Sequence, residues 1–169
     1  SKGPLNKEQK EHLGRVMNAS DHLVYLLNEI LDLSKLRANK IHLESIPFSP
    51  KEVFENVLAY LKNEVAASDI KANLVLPPDL PEVLIGDPYR LRQVLYNLTN
   101  NALKFTEKGH ITMEVKISMD QNQCLLEAAV KDTGKGIAKD RVDKIFNEFE
   151  QEDNSVERKF GGTGLGLAI

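Results

Sequence analysis

A chain of 169 residues, 41% of them hydrophobic, is long enough for one good core and a smaller appended element, but not for two full domains. Its 22 basic and 25 acidic residues give a net charge of −3, which lacks the basic excess typical of nucleic-acid-binding proteins, so no nucleic-acid partner is expected. The single cysteine, Cys124, excludes an internal disulfide and a cysteine-rich metal site. No apolar run approaches the roughly 20 residues that span a bilayer, and no signal peptide is recognisable. We therefore expect a soluble, cytoplasmic piece without membrane contact of its own, cut from a longer protein that is free to carry a membrane anchor elsewhere.

The first predicted element is one long amphipathic helix over residues 6–37. This stretch has no proline and no strand-like alternation, and its apolar residues recur at helical spacing: Leu13, Val16, Leu23, Leu26, Leu27, Ile30 and Leu33. The stripe is broad enough to need a partner, and no second long helix is found in the early chain. We expect the partner to be a symmetric copy of this helix or a preceding helix outside the chain, packed as a helix bundle.

Two further elements come before the first proline-rich connection. Residues 41–46 alternate with period two and predict a short strand. A helix is then predicted from Ser49, because serine at the N-cap, Pro50 at the first helical position and Glu52 form a capping box. Its expected core face consists of Val53, Phe54, Val57, Leu58 and Leu61.

The middle of the chain predicts a strand, a rigid connection and a second helix. Residues 71–76 read as a strand, and the prolines in residues 77–81 stiffen the connection after it. The helix begins at Asp87 and Pro88, and its expected core face is Leu91, Val94, Leu95 and Leu98. Asn97, Asn101 and Lys104 lie on an adjoining stripe, and Gly109 ends the unit.

The last predicted elements are a hairpin and a short helix. Residues 111–119 and 124–131 alternate and are joined by a polar turn, which predicts an antiparallel hairpin. A short helix is expected around residues 142–146. The order of helices and strands predicts an α/β sandwich with helices over one face of a mixed sheet.

The asparagine-bearing helix carries groups suited to magnesium and phosphate. Asn97 and Asn101 are four residues apart, so their amide oxygens can point to the same spot, and Lys104 lies near that face. Carboxamide oxygens are hard, neutral ligands that suit Mg²⁺, and lysine balances phosphate charge. The alternative is a solvated helix face with an asparagine cap.

Asp132, at the end of the second hairpin strand, is predicted to be a buried carboxylate between glycine turns. An adenine amine would give it a hydrogen-bond donor, and Gly134 and Gly136 would let the backbone pass close to a flat base. In the alternative interpretation, Asp132 only initiates a turn or caps a helix.

A second glycine-rich turn closes the chain. Gly161, Gly162, Gly164 and Gly166 resemble a phosphate-cradling loop that runs into a helix. Upstream, Arg158 and Lys159 lie in a polar segment able to fold over a triphosphate as a lid, or simply to be solvated.

Together these segments resemble the catalytic ATP-binding domain of sensor histidine kinases, in the superfamily of gyrase, heat-shock-90 and mismatch-repair ATPases. Residues 97–106 look like the N box, 132–137 the G1 box, 145–149 the F box and 162–167 the G2 box, while residues 21–36 are similar to the second helix of the dimerisation and phosphotransfer hairpin. Residues 151–164 are most similar to hybrid kinases, which carry a receiver domain further along. The resemblance implies an α+β fold, a two-layer α/β sandwich lacking its closing strands, with residues 1–40 as a partial dimerisation region and 41–169 as the catalytic domain.

The resemblance also implies roles for individual residues. Asn101 and Asn97 would hold Mg²⁺, Lys104 would meet the phosphates, Phe105 would flank the base and Asp132 would accept from adenine N6. The implied ATP-binding set is completed by Gly134, Gly136, Ile137, Arg158, Lys159, Gly162, Thr163, Gly164, Leu165, Gly166 and Leu167. The hydrolysing relatives place a glutamate general base at the position of Asn97, so asparagine argues for transfer to a protein side chain.

One departure concerns the phosphoacceptor. The family's motif places an acidic residue after the histidine, whereas here each of the four histidines is succeeded by Leu or Ile: His12, His22, His42 and His110. We expect none of them to be the acceptor, so no catalytic residue is expected within the chain.

These features lead to the hypothesis of a histidine protein kinase of two-component signalling. It would dimerise through residues 6–37, bind Mg-ATP and pass the γ-phosphoryl to a histidine upstream of this chain and then to a response-regulator receiver domain. The alternative is a kinase-like regulatory module that dimerises without transferring phosphate. A gyrase-type ATPase clamp is disfavoured by Asn97.

Overall fold

The computed structural model describes residues 6, 9, 12–13, 16–17, 20, 23, 27, 31, 34–38, 40–120, 123–139, 141–142 and 145. Its elements after residue 40 run in the order β1 (Ile46–Phe48), α1 (Pro50–Glu64), β2 (Ile70–Val75), β3 (Leu84–Gly86), α2 (Pro88–Phe105), β4 (Gly109–Asp120) and β5 (Gln123–Asp132).

The described residues between 9 and 37 are helical and form what we call the N-terminal helical segment. Their apolar side chains face solvent, with Leu23 67% and Val16 61% exposed. The end of the segment is closed by two backbone hydrogen bonds, from Ala38 N to Ser34 O and from Lys40 N to Lys35 O. An exposed apolar stripe agrees with the expectation that this helix needs a partner to cover it.

Both later helices begin as their sequences predict. Ser49 Oγ accepts from the Glu52 amide at 3.4 Å with Pro50 in the first turn, and Asp87 caps α2 in the same way with Pro88 directly after it. Proline costs nothing at this position because its missing N–H would have no partner inside the helix.

The larger sheet is mixed, with strand order β2-β4-β5. β2 pairs with β4 in parallel, while β4 and β5 form an antiparallel hairpin in which Ile111 lies opposite Asp132. β1 and β3 form a separate two-stranded antiparallel sheet. The predicted mixed sheet and hairpin are thus confirmed, and the strand predicted at residues 71–76 lies one residue earlier.

The core lies between the two helices and one face of β4. One cluster of buried side chains combines residues of α1, α2 and β4: Phe54, Val57, Leu95, Met113 and Val115. A second cluster consists of Leu61, Val65, Ala102 and Ile111. On β4, Ile111, Met113 and Val115 alternate with more exposed residues, so the strand presents one apolar face to the helices. This confirms the two-layer α/β architecture.

Two predictions about local structure are wrong. Residues 41–45 form no strand. The strand is Ile46–Phe48, because these are the residues that pair with β3, and β3 itself is not predicted by the sequence. Val94 is predicted to lie in the core but is 49% exposed, since α2 presents Leu95 rather than Val94 to the sheet. The predicted helix around residues 142–146 lies largely outside the described residues; Arg141, Val142 and Ile145 are in turns.

Candidate functional site

The candidate site is formed where the C-terminal end of α2 meets the turn after β5. The Lys135 amide donates to the Phe105 carbonyl at 3.4 Å, which links the turn to the end of the helix. The structure therefore brings Lys104 and Phe105 next to residues 132–136, as the sequence predicted.

Gly134 is the point of closest approach between turn and helix. A Cβ atom at this position would lie 2.4 Å from the Phe105 carbonyl oxygen and 2.8 Å from its carbonyl carbon. Only a glycine lets the turn pass this close to the helix end. Gly136 is different: its φ of +72° favours glycine, although the space around it is open.

The turn is also tied to the opposite side of the hairpin through Thr133. Its Oγ1 accepts from the His110 amide at 3.0 Å and lies within hydrogen-bond distance of the Lys108 carbonyl. Gly109, with φ of +114°, leaves room for this hydroxyl, because a Cβ there would lie 2.1 Å from Thr133 Oγ1. The register of β4 and β5 thus decides where the turn stands.

Asp132 is exposed, so the prediction of a buried carboxylate is wrong. It is the last residue of an edge strand in the described sheet, where solvent reaches the side chain. Its Oδ1 accepts from the Gly134 amide at 2.8 Å, the turn-initiating bond of the alternative interpretation. Within the described part of the chain no hydrogen bond to Oδ2 is present, so the turn uses only half of the carboxylate.

Two lysines share the ring of Phe105. Lys104 Nζ lies 5.3 Å and Lys135 Nζ 5.1 Å from the ring centroid, within the range of cation–π attraction. Partial burial lowers the pKa of Lys104, and the charge of Lys135 lowers it further. The site therefore brings two positive charges close together beside the turn.

Lys135 was missed by the sequence interpretation. The sequence feature that could have indicated Lys135 is its position between Gly134 and Gly136, in a turn where the neighbouring residues have no side chains.

Asn97 and Asn101 are half-buried on α2, one turn apart, with Asn101 three residues before Lys104. Asn97 also lines a cavity of about 380 Å³ together with Leu36, Ile41 and Leu43, a contact that the sequence did not predict. The helix thus places both amides in the two turns before Lys104, near its C-terminal end, as expected from their spacing.

The remaining predicted site residues divide into two groups. Ile137 is 52% exposed after the turn. The others lie outside the described residues: Arg158, Lys159, Gly162, Thr163, Gly164, Leu165, Gly166 and Leu167. In the part of the chain that is described, no helix combines the length and apolar character of a membrane span.

The chain is similar in sequence to known proteins, in part or over nearly its whole length. Residues 86–169, which contain α2 and both glycine-rich sequences, match the sequence model of the histidine kinase-, DNA gyrase B-, and HSP90-like ATPase family. The chain is 38% identical over 169 residues to the signal transduction histidine-protein kinase BarA of Escherichia coli strain K12, and 37% identical over 172 residues to the hybrid signal transduction histidine kinase A of Dictyostelium discoideum. These alignments cover 99% and 98% of the chain but only 18% and 8% of the relatives.

A solved structure shares the fold over nearly the whole chain. Full-length ShkA, crystallised in complex with AMPPNP, superposes with a TM-score of 0.79 at 31% identity, covering 98% of this chain and 33% of that one. The resemblance to sensor histidine kinases, including hybrid ones, is thereby confirmed. Residues 86–169 belong to the histidine kinase-, DNA gyrase B- and HSP90-like ATPase family, in a chain whose relatives are histidine kinases of signal transduction.

Proposed function

We propose that this chain binds Mg-ATP between the C-terminal half of α2 and the turn at residues 132–136, as the nucleotide-binding part of a histidine protein kinase. The observation that carries the proposal is that Lys104 and Lys135 both contact the Phe105 ring, beside the Asp132 carboxylate, of which Oδ1 accepts from the Gly134 amide. The exocyclic amine of adenine needs a hydrogen-bond acceptor, and the phosphates need cations. Asp132 supplies the acceptor, and the two lysines supply the cations.

The cations suit the phosphate end of the nucleotide. Lys104 and Lys135 bring two ammonium groups to one aromatic ring, and burial and then the charge of Lys135 lower the pKa of Lys104. Two cations at one place suit the negative charge of a polyphosphate. Asn97 and Asn101 would supply neutral oxygen ligands to Mg²⁺, which neutralises phosphate charge when bound.

The turn suits the base. Asp132 Oδ1 is held by the Gly134 amide, which orients the carboxylate and leaves Oδ2 for an exocyclic amine. Gly134 and Gly136 keep side chains away from the plane of the base. Phe105, already in contact with both lysines, would flank it.

The wider role is drawn from the relatives. We propose that residues 1–40 are part of a dimerisation region and residues 41–169 the catalytic domain. The γ-phosphoryl would pass to a histidine upstream of this chain and then to an aspartate of a response-regulator receiver domain. Positioning and charge neutralisation would dominate this chemistry, because the chain supplies binding groups rather than a nucleophile.

The proposal is tested by calorimetric titration of Mg-ATP into this chain and into one continued beyond residue 169. Asp132→Asn keeps the oxygen that bonds the Gly134 amide but turns the second acceptor into a donor. Asp120→Asn, the same change at the exposed far end of the same hairpin, is the matched control. We expect Asp132→Asn to weaken binding at least about tenfold, since a site built for a polar partner loses more than contact area when that partner is mismatched, while Asp120→Asn leaves it unchanged.

Absence of Mg-ATP binding in both folded chains would overturn the proposal and favour the regulatory, non-transferring module. Equal binding by Asp132→Asn and the wild type would remove the assigned role of the carboxylate. If binding is found, release of phosphate to water without transfer to a histidine of a longer chain would instead favour an ATPase clamp.

A further inference from the structure

A single carboxylate at the start of α2 bonds two parts of the chain. Asp87 Oδ1 accepts from the Tyr89 and Arg90 amides, both at 3.0 Å, and so caps the helix. Asp87 Oδ2 accepts from the Glu44 amide at 3.1 Å, 43 residues earlier in the chain. Oδ1 therefore caps α2, and Oδ2 bonds the earlier segment that contains Glu44.

The Glu44 amide belongs to residues 40–45, which we call the strap. The strap lies between the N-terminal helical segment and β1, and it has no regular secondary structure. A segment without strand pairing has few ways of holding its position, so its hydrogen bond to Asp87 matters more than it would inside a sheet.

Apolar contact holds the strap only loosely. The strap and the residues before it contribute Leu36, Ile41 and Leu43 to the walls of the 380 Å³ cavity, and α2 contributes Arg90, Gln93, Val94 and Asn97. Leu43 remains 70% and Val94 49% exposed. This contact stays open to solvent, and Leu36, Leu43 and Val94 keep much of their surface exposed, so burial contributes little to holding the strap.

We propose that Asp87 is a latch that fastens the strap to α2 and so sets the position of the N-terminal helical segment relative to the helix that carries Asn97 and Asn101. In the fastened state the end of the N-terminal helical segment, at Leu36, lies across the same cavity as Asn97. Without the hydrogen bond to Asp87, the strap keeps its partly exposed apolar contacts with α2 but is held less firmly, and the N-terminal helical segment reorients more readily. The latch does not depend on a nucleotide, so it stands or falls separately from the proposed function.

The latch can be separated from the helix cap by substitution. Asp87→Ser keeps a good N-cap oxygen for α2 but has no second oxygen for Glu44. Glu44→Ala removes the side chain while retaining the amide donor, and it is the matched control. Glu44→Pro removes the amide itself and leaves Asp87 untouched.

The first measurement is amide hydrogen exchange of Glu44, resolved by NMR in the full chain. A hydrogen bond to a carboxylate corresponds to a change in opening equilibrium of about ten- to a hundredfold. We expect Asp87→Ser to accelerate exchange of the residue-44 amide by at least about tenfold, and Glu44→Ala to remain near the wild type after correction for intrinsic rates. Unprotected exchange in the wild type, or equal protection in Asp87→Ser, would overturn the proposal.

The second measurement is the rate of tryptic cleavage after Lys40, which requires the strap to detach. Asp87→Ser and Glu44→Pro are both expected to be cut faster than the wild type and Glu44→Ala. If Asp87→Ser fails to fold, Glu44→Pro decides, because its helix cap is intact. Cleavage of Glu44→Pro at the wild-type rate would refute the latch.

Discussion

Replacing Gly134 by alanine tests whether close contact between the turn and the end of α2 builds the site. The added Cβ would lie 2.4 Å from the Phe105 carbonyl oxygen and 2.8 Å from both Phe105 C and Asp132 Oδ1. Ordinary contacts between heavy atoms lie near about 3.5 Å. Two of the obstructing atoms are backbone at a helix end, so the turn must move rather than the neighbour.

The cost arises from overpacking. Inserting a methyl group into a closely packed region costs about 1–3 kcal/mol, and the loss of glycine's freedom in the unfolded chain returns about 0.4–1 kcal/mol. We expect a net loss of about 1–2 kcal/mol in the free energy of unfolding. Moving the turn also breaks the hydrogen bond from the Lys135 amide to Phe105 and displaces the Asp132 carboxylate.

Gly136→Ala is the matched control. Its Cβ would meet nothing within 4 Å, but the φ of +72° makes alanine unfavourable by about 1–2 kcal/mol. The two variants should therefore lose similar stability in urea titrations for different reasons. Only Gly134→Ala is expected to lose protection of the Lys135 amide from hydrogen exchange. Its binding of Mg-ATP is expected to weaken at least about tenfold. Wild-type stability together with a protected Lys135 amide in Gly134→Ala would refute the steric reasoning.

Three further predictions concern charge and packing. Lys104→Met should weaken nucleotide binding. Because the folded-state pKa of Lys104 lies below its ordinary value of 10.5, the wild type should gain stability as pH rises from the folded-state pKa towards 10.5, and urea titrations across this range should show no such gain in the variant. The hydrogen bond from the Arg90 amide is the main cause that lowers the pKa of Asp87 in the folded protein. The carboxylate should therefore contribute stability above pH 3.8, and this contribution should fade as pH falls through the folded-state pKa. The difference in free energy of unfolding between the wild type and Asp87→Ser should be smaller at about pH 3 than at about pH 5, and a constant difference would contradict the assignment. Phe54→Ala, at a fully buried site, should cost about 3–5 kcal/mol in denaturant unfolding, and a loss below about 1 kcal/mol would contradict its place in the core.

Local features of the fold were predictable because their causes are local. Ser49-Pro50 and Asp87-Pro88 begin α1 and α2, since a cap oxygen and a proline act within one turn. The hairpin was evident from alternation in two neighbouring segments. The α2 stripe of Asn97, Asn101 and Lys104 was evident from helical spacing alone.

Features that depend on distant pairing were mispredicted or missed. Residues 41–45 alternate like a strand, but β3 pairs with residues 46–48, and the Glu44 amide bonds to Asp87 instead. Alternation describes which side chains share a face and says nothing about where a partner strand stands.

The sequence by itself determined the starts of α1 and α2, the hairpin and the residue types suited to a nucleotide. Tertiary structure alone decided that Asp132 is exposed, that Lys135 joins Lys104 at Phe105, and that the strap bonds to Asp87. The first two outcomes depend on the register of β4 with β5 and on the contact of Gly134 with the end of α2, and the third depends on the position of Glu44 beside the start of α2. Each relation joins residues from separate elements, and no local pattern encodes the distance between them.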